Sequence, residues 1–240
     1  MLKKDFDSLK LKNMKTIVII GGSKGIGKAI ALSHLELNKV INISRTAPDF
    51  VHANLEHYNC DILVDDLPEL ETVDALIYCL GSINLKPFER LKLEDFKADY
   101  EINFLGAVKT IQKYLPNLKE STNASVLLFS TVASKLGMPF HASVASVKSA
   151  IEGLVLSLAA EYAPLIRVNA IALTVTETTL AAKLLRNDVQ KEQMKERHPL
   201  KKYLQPEEVA AMASFLIADK ALSMSGQIIQ MDCGITTIKR

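Results

Sequence analysis

Gly21, Gly25 and Gly27 follow directly on the apolar run Ile17-Val18-Ile19-Ile20 and lead into the helix-like Lys28-Ala29-Ile30-Ala31-Leu32. A strand that turns through glycines into a helix leaves the first helical N–H groups free. With the positive end of the helix dipole behind them, those groups bind a diphosphate. A Cβ at Gly21 or Gly25 would block the tight turn and the close approach of backbone to ligand, and one at Gly27 would push the helix off the strand. The segment Gly21 to Gly27, with Ser23, Lys24 and Ile26 between the glycines, is therefore a candidate dinucleotide cradle. Two other chemistries share these residues. Gly21-Gly22-Ser23-Lys24-Gly25 satisfies G-x-S-x-G, the elbow that presents a nucleophilic serine, but such an elbow follows several strands and this turn follows the first. A P-loop needs Gly-Lys-Ser/Thr at the helix start, and Gly27-Lys28-Ala29 lacks the hydroxyl that would hold magnesium.

The elements that must position such a turn are legible along the chain. Apolar strand-like runs alternate with helix-period segments from Thr16 onward, which predicts an α/β fold: one doubly wound (Rossmann) domain, a seven-stranded parallel sheet with helices on both faces. The strands are placed at 16–20, 39–43, 57–60, 75–79, 125–129, 167–172 and 227–231. The clearest helices are 26–37, 96–114, 142–162 and 206–217, the last opened by Gln205-Pro206-Glu207-Glu208 with proline and carboxylates in its first turn. The crossover between Asp61 and Asp74 leaves room for one turn of helix at most. Residues 14–240 form the domain and the lysine-rich residues 1–13 a loose arm. The polar stretch 174–204, between the last two strands, is a candidate substrate lid, because loops at the carboxyl ends of parallel strands are where ligands bind in this architecture.

Bulk composition narrows the partners. The chain has 240 residues, 48% of them hydrophobic, enough for one domain with a full core. A net charge of +2, with no basic and aromatic stripe, gives no nucleic-acid surface and favours a small-molecule substrate. Cys60, Cys79 and Cys233 are widely spaced, which suits neither a disulfide framework nor a zinc site and predicts a reducing, cytoplasmic setting. No apolar run approaches the roughly 18 residues of a membrane span, and the N-terminus lacks the apolar core of a signal peptide, so no membrane partner is expected.

Taken in order, the motifs resemble the short-chain dehydrogenase/reductase family over about residues 14–237. The carriers are Gly21-x-x-x-Gly25-x-Gly27, Cys60-Asp61 after the third strand, Asn103 in Glu101-Ile102-Asn103-Phe104-Leu105-Gly106, Arg167-Val168-Asn169-Ala170-Ile171 and Ser225-Gly226-Gln227-Ile228-Ile229. The resemblance implies an NAD(P)-dependent oxidoreductase, with Asp61 on the adenine, Gly81 beside the cofactor, Asn103 in the catalytic set, and a homodimer or homotetramer built through the helices carrying Asn103 and Lys148. Charge decides the cofactor. A carboxylate closing the second strand would hold the ribose hydroxyls of NAD(H), but here Val40-Ile41-Asn42-Ile43-Ser44 runs into Arg45. With Lys24 as a second cation, a 2′-phosphate is accommodated, so NADP(H) is favoured over NAD(H).

The family's chemistry rests on a strand-end serine, a tyrosine, and a lysine four residues later. Matching Ser130-Thr131-Val132-Ala133 and Ala142-Ser143-Val144-Ala145-Ser146-Val147-Lys148 to those segments puts Thr131 on the serine and Lys148 on the lysine. The tyrosine position is Val144. Residues i and i+4 share a helix face, so Val144 and Lys148 project together, but valine neither donates nor accepts a proton. Three routes keep the site catalytic: His141 in place of the phenol, water relayed by Lys148 and Asn103, or a substrate such as an iminium that needs no proton with the hydride. The alternative is a non-catalytic NADP-binding sensor or assembly subunit. Tyr78-Cys79 in place of paired asparagines before Gly81, and Leu173-Thr174 in place of proline-glycine, are further departures, and all three cluster at the nicotinamide end.

Overall fold

The computed structural model describes residues 14–239, so the expected arm, residues 1–13, lies outside the described residues. Seven parallel strands form one sheet in the order β3-β2-β1-β4-β5-β6-β7: β1 (Thr16–Ile20), β2 (Lys39–Ser44), β3 (Leu55–Asn59), β4 (Ala75–Tyr78), β5 (Ala124–Thr131), β6 (Ile166–Leu173) and β7 (Ile228–Met231). The helices are α1 (Gly25–His34), α2 (Leu93–Tyr100), α3 (Gly106–Glu120), α4 (Ala142–Tyr162), α5 (Asp188–Arg197) and α6 (Pro206–Ile217). Chain order reverses between β1 and β4, and the crevice at that switch point is where a doubly wound sheet takes its ligand.

Both faces of the sheet are covered, which is why its strands read as unbroken apolar runs. Along β1 the side chains alternate between two cores: Val18 and Ile20 pack with α3 and α4 on one face, Ile17 and Ile19 with α1 and α6 on the other. The crossover after β3 holds no helix, as its length implies. Side chains of α3 cover it instead, Lys109 Nζ donating to the carbonyls of Ile62 and Asp65, Tyr114 to that of Pro68, and Asn117 to that of Leu70.

Two expectations need correction. The helix read over 96–114 is α2 followed by a π-helical turn, Glu101–Leu105, and then α3, which runs on to Glu120. The turn widens because the Tyr78 hydroxyl, at the end of β4, is wedged there: it donates to Ile102 O at 2.5 Å and leaves no room for a Cβ at Gly106. Second, α4 is long and apolar enough to cross a membrane by length and composition, although the sequence showed no such unbroken run. It is a core helix: Val144, Val147, Ile151, Val155 and Ala159 form its buried face against β5 and β6.

Candidate active site

The glycine turn has the expected geometry. Gly21 and Gly25 have φ of +87° and +52°, where only glycine rests without strain. A Cβ on Gly27 would overlap the carbonyl oxygen of Gly21, so the first turn of α1 closes directly on the strand end. Lys24 caps α1 with extended backbone and no side-chain bond, leaving the leading amides free. Beneath the turn, buried Asn42 of β2 accepts from Gly22 N at 2.8 Å and donates to Ser23 Oγ at 2.9 Å. Ser23 in turn donates to Thr46 O at 2.5 Å and bonds Ser44 Oγ. Its hydroxyl therefore braces the loop, with no histidine or carboxylate among its partners, and the nucleophile reading lapses. Arg45 and Lys24 are exposed beyond the ends of β2 and β1. Arg45 reaches Asp61 in a loose 3.7 Å ion pair, so the two residues assigned to the adenosine end stand together.

From the turn, a cavity of about 180 Å³ runs along the carboxyl ends of the central strands, bordered by Ile26, Gly81, Asn103, Thr131, Val144 and Lys148. Lys148 Nζ donates to Phe129 O at 2.9 Å, and burial pushes its ammonium down to about 8. Asn103 is fully buried on the π turn. Its amide nitrogen donates to Asp99 O and Ser82 Oγ, while its Oδ1 has no partner among the described residues. Gly81 passes over that oxygen closely, since a Cβ there would lie 3.0 Å from it and 3.7 Å from Lys148 Nζ. Thr131 ends β5 with its hydroxyl held only by long bonds, 3.4 Å to Leu173 O and 3.3 Å from Ala133 N, so it can turn to a ligand. Ser130 faces the other way, to Glu152 at 2.6 Å.

A family model described as enoyl-(acyl carrier protein) reductase matches residues 21–236. The chain belongs to the short-chain dehydrogenase/reductase family. Carbonyl reductase (NADPH) 2 of Sus scrofa is 26% identical over 230 residues, spanning 90% of this chain and 94% of the relative. A tropinone reductase homolog of Arabidopsis thaliana is 30% identical over 243 residues, spanning 92% and 91%. Among solved structures, a short chain dehydrogenase family protein from Francisella tularensis superposes with a TM-score of 0.84 at 26% identity, covering 94% of this chain and all of that one. ElxO with NADP bound shares the fold at 22% identity and the same TM-score, over 94% of this chain and 100% of ElxO. The reductases and the dehydrogenase among these relatives are oxidoreductases by name.

Val144 lies buried in the cavity wall one turn before Lys148, with no proton to give. Tyr78 supports the turn that carries Asn103, and burial pushes its phenol well above the usual range, so it is a buttress. Cys79 lies on the cavity wall, its thiol likewise raised by burial. His141 opens α4 and borders the cavity. Its Nδ1 lies 2.7 Å from Pro139 O, which can only accept, so Nδ1 carries hydrogen and Nε2 is free. Within 174–204, Thr178 packs against Gly25 and Leu180, Leu184, Met194 and Arg197 border the cavity. Neither Thr178 nor the buried Asp99 was singled out from sequence. Thr178 stood inside a stretch read only as a lid, and Asp99, one turn before Asn103, is a carboxylate on the buried side of a helix.

Proposed function

We propose that this short-chain dehydrogenase/reductase is an NADP(H)-linked oxidoreductase that moves hydride to or from a small carbonyl, alcohol or imine substrate, with an altered proton donor. The observation carrying the reading is the cavity that joins an intact glycine cradle to Asn103, Thr131 and Lys148 while Val144 stands at the phenol position. The chain fits a dinucleotide: the turn excludes a Cβ at Gly27, the leading amides of α1 are uncapped, and Asn103 Oδ1 is buried without a partner.

When bound, the cofactor supplies or accepts the hydride. The amides of Gly21 to Gly27 would hold its diphosphate, Lys24 and Arg45 its 2′-phosphate, Asp61 the adenine and Lys148 the nicotinamide ribose. Thr131 Oγ1 hydrogen-bonds the substrate oxygen. His141 Nε2, oriented by the Nδ1 bond to Pro139, delivers or takes the proton. Residues 174–204 form the substrate wall and lid. The likeness to carbonyl reductase (NADPH) 2 and the absence of a carboxylate at the end of β2 support the phosphorylated cofactor. Assembly is through the helical segment carrying Asn103, from α2 through the π turn to α3, and through α4 carrying Lys148, with a groove between α2 and α4 bordered by Phe96, Tyr100, Val147 and Ala150, and the free thiols suit a cytoplasmic setting.

The test is NADPH oxidation and NADP reduction with a panel of ketones, imines, enones and alcohols, repeated with His141→Ala and Lys148→Ala. Turnover that falls about 10²-fold or more in His141→Ala supports the assignment. A protein that binds NADPH but turns over none of the panel would be a sensor or assembly subunit instead.

A further inference from the structure

Asp99 is fully buried, stands on α2, and is not one of the residues bordering the cavity. Three donors converge on its carboxylate: Ser82 Oγ at 2.5 Å and Asn84 Nδ2 at 3.0 Å on Oδ1, and Ser143 Oγ at 2.6 Å on Oδ2. Its backbone carbonyl accepts from Asn103 Nδ2 at 2.8 Å. All three side-chain partners can donate to its oxygens, and among the described residues no cation is a hydrogen-bond partner.

A buried carboxylate without a cation is costly unless a charge nearby compensates it. The cavity supplies one. Among the described residues no aspartate or glutamate borders it, Lys148 is its desolvated cation while the second cation on its border, Arg197 of α5, is exposed, and Val144 provides no polar group at the place where a phenol would face that ammonium. Glu152, one turn further along α4, is turned to Ser130 and Ser134 on the loop after β5. Ser82, whose hydroxyl donates to Asp99, borders the same cavity as Lys148, and Asp99 is the group whose negative charge favours the Lys148 ammonium, the Cys79 thiol just after β4 being kept neutral by burial. His141 borders the same cavity from the start of α4.

We infer that Asp99 is the buried counter-charge of Lys148 and the positioning residue that, through Ser82 and Ser143, ties the loop after β4 to the first turn of α4. Ser82 lies next to Gly81, and Ser143 next to Val144. One carboxylate thus sets the distance between the wall bearing Asn103 and the helix bearing Lys148, and it fills the electrostatic place left by the missing phenol. The inference rests on Lys148 facing the cavity, and needs no turnover to be tested.

The experiment is competitive acylation of the full-length protein with acetic anhydride across pH 6 to 10, read lysine by lysine by peptide mass spectrometry. Only the neutral amine reacts, so the Lys148 midpoint is observed directly and the surface lysines serve as internal controls. In Asp99→Asn the midpoint is expected to fall, since the amide keeps the shape and removes the charge. A fall of one pH unit from about 8 raises the neutral fraction at pH 7 about fivefold. Asp99→Ser, smaller and able to admit a water, makes the same prediction should the asparagine variant fail to fold. Ser143→Ala keeps the charge and is expected to leave the midpoint in place. An unmoved midpoint in a folded Asp99 variant, or an equal shift in Ser143→Ala, overturns the inference. Turnover measured separately decides the functional reading, so the two failures are distinguishable.

Discussion

Replacing Lys148 by methionine should make the protein more stable at neutral pH while removing its cofactor-linked activity. Burial holds the ammonium at about 8 against an ordinary 10.5. At roughly 1.4 kcal/mol per pH unit, the charged lysine costs the native state about 3 kcal/mol below pH 8. Methionine keeps the length of the side chain but leaves the Phe129 carbonyl without its 2.9 Å donor, which offsets about 1 kcal/mol. The net gain is therefore about 2 kcal/mol, or roughly 4–8 °C in melting temperature for a domain of this size. The sign with pH follows from linkage. Between about 8 and 10.5 the unfolded lysine keeps a proton that the folded one has lost, so the wild type gains stability as pH rises through that window and the methionine variant does not. Melts of both proteins from pH 7 to 10.5 should show the gap narrowing, closing and then reversing by about 1 kcal/mol, the hydrogen bond the variant lacks. A variant less stable at every pH, or a gap that ignores pH, would refute the reasoning.

Other perturbations address the two ends of the site. Val144→Tyr places a phenol one turn before Lys148 and should raise ketone reduction by about 10²-fold or more, measured as NADPH oxidation in the folded variant. No gain with an intact fold would show that Lys148 and Thr131 do not address the same point. Arg45→Asp should reverse cofactor preference by about tenfold or more, because a carboxylate beyond β2 repels a 2′-phosphate and accepts from ribose hydroxyls. The check is the ratio of NADPH to NADH dissociation constants, and an unchanged ratio would remove Arg45 from the phosphate site.

How much was legible differs along the chain for physical reasons. Central strands such as β1 and β5 are buried on both faces and advertise themselves as apolar runs, so their positions were read to within a residue or two. Edge strand β3, Leu55-Glu56-His57-Tyr58-Asn59, is only partly buried, and its polar residues hid its start. The glycine turn and the Val144 and Lys148 pair depend on local spacing, which sequence displays. The π turn does not, because it arises where Tyr78 meets Gly106 across the sheet. Asp99 was invisible for the same reason: Ser82, Asn84 and Ser143 come from three places in the chain, and only the fold aims them at one carboxylate. The polar stretch after β6 was expected to be a substrate lid, and which of its side chains border the cavity depends on how it folds back, which sequence does not display.

The central claim is that main-chain amides of the Gly21 to Gly27 turn grip a dinucleotide in a pocket where Val144 stands one turn before Lys148. Its most direct test is a titration of wild type and Gly27→Ala with NADPH and with NADH, following the emission of the cofactor itself because the chain has no tryptophan. We expect saturable binding by the wild type, tighter for NADPH, and its loss in a Gly27→Ala variant that keeps its fold. Binding that survives the added methyl group, or a wild type that binds neither cofactor, would contradict it.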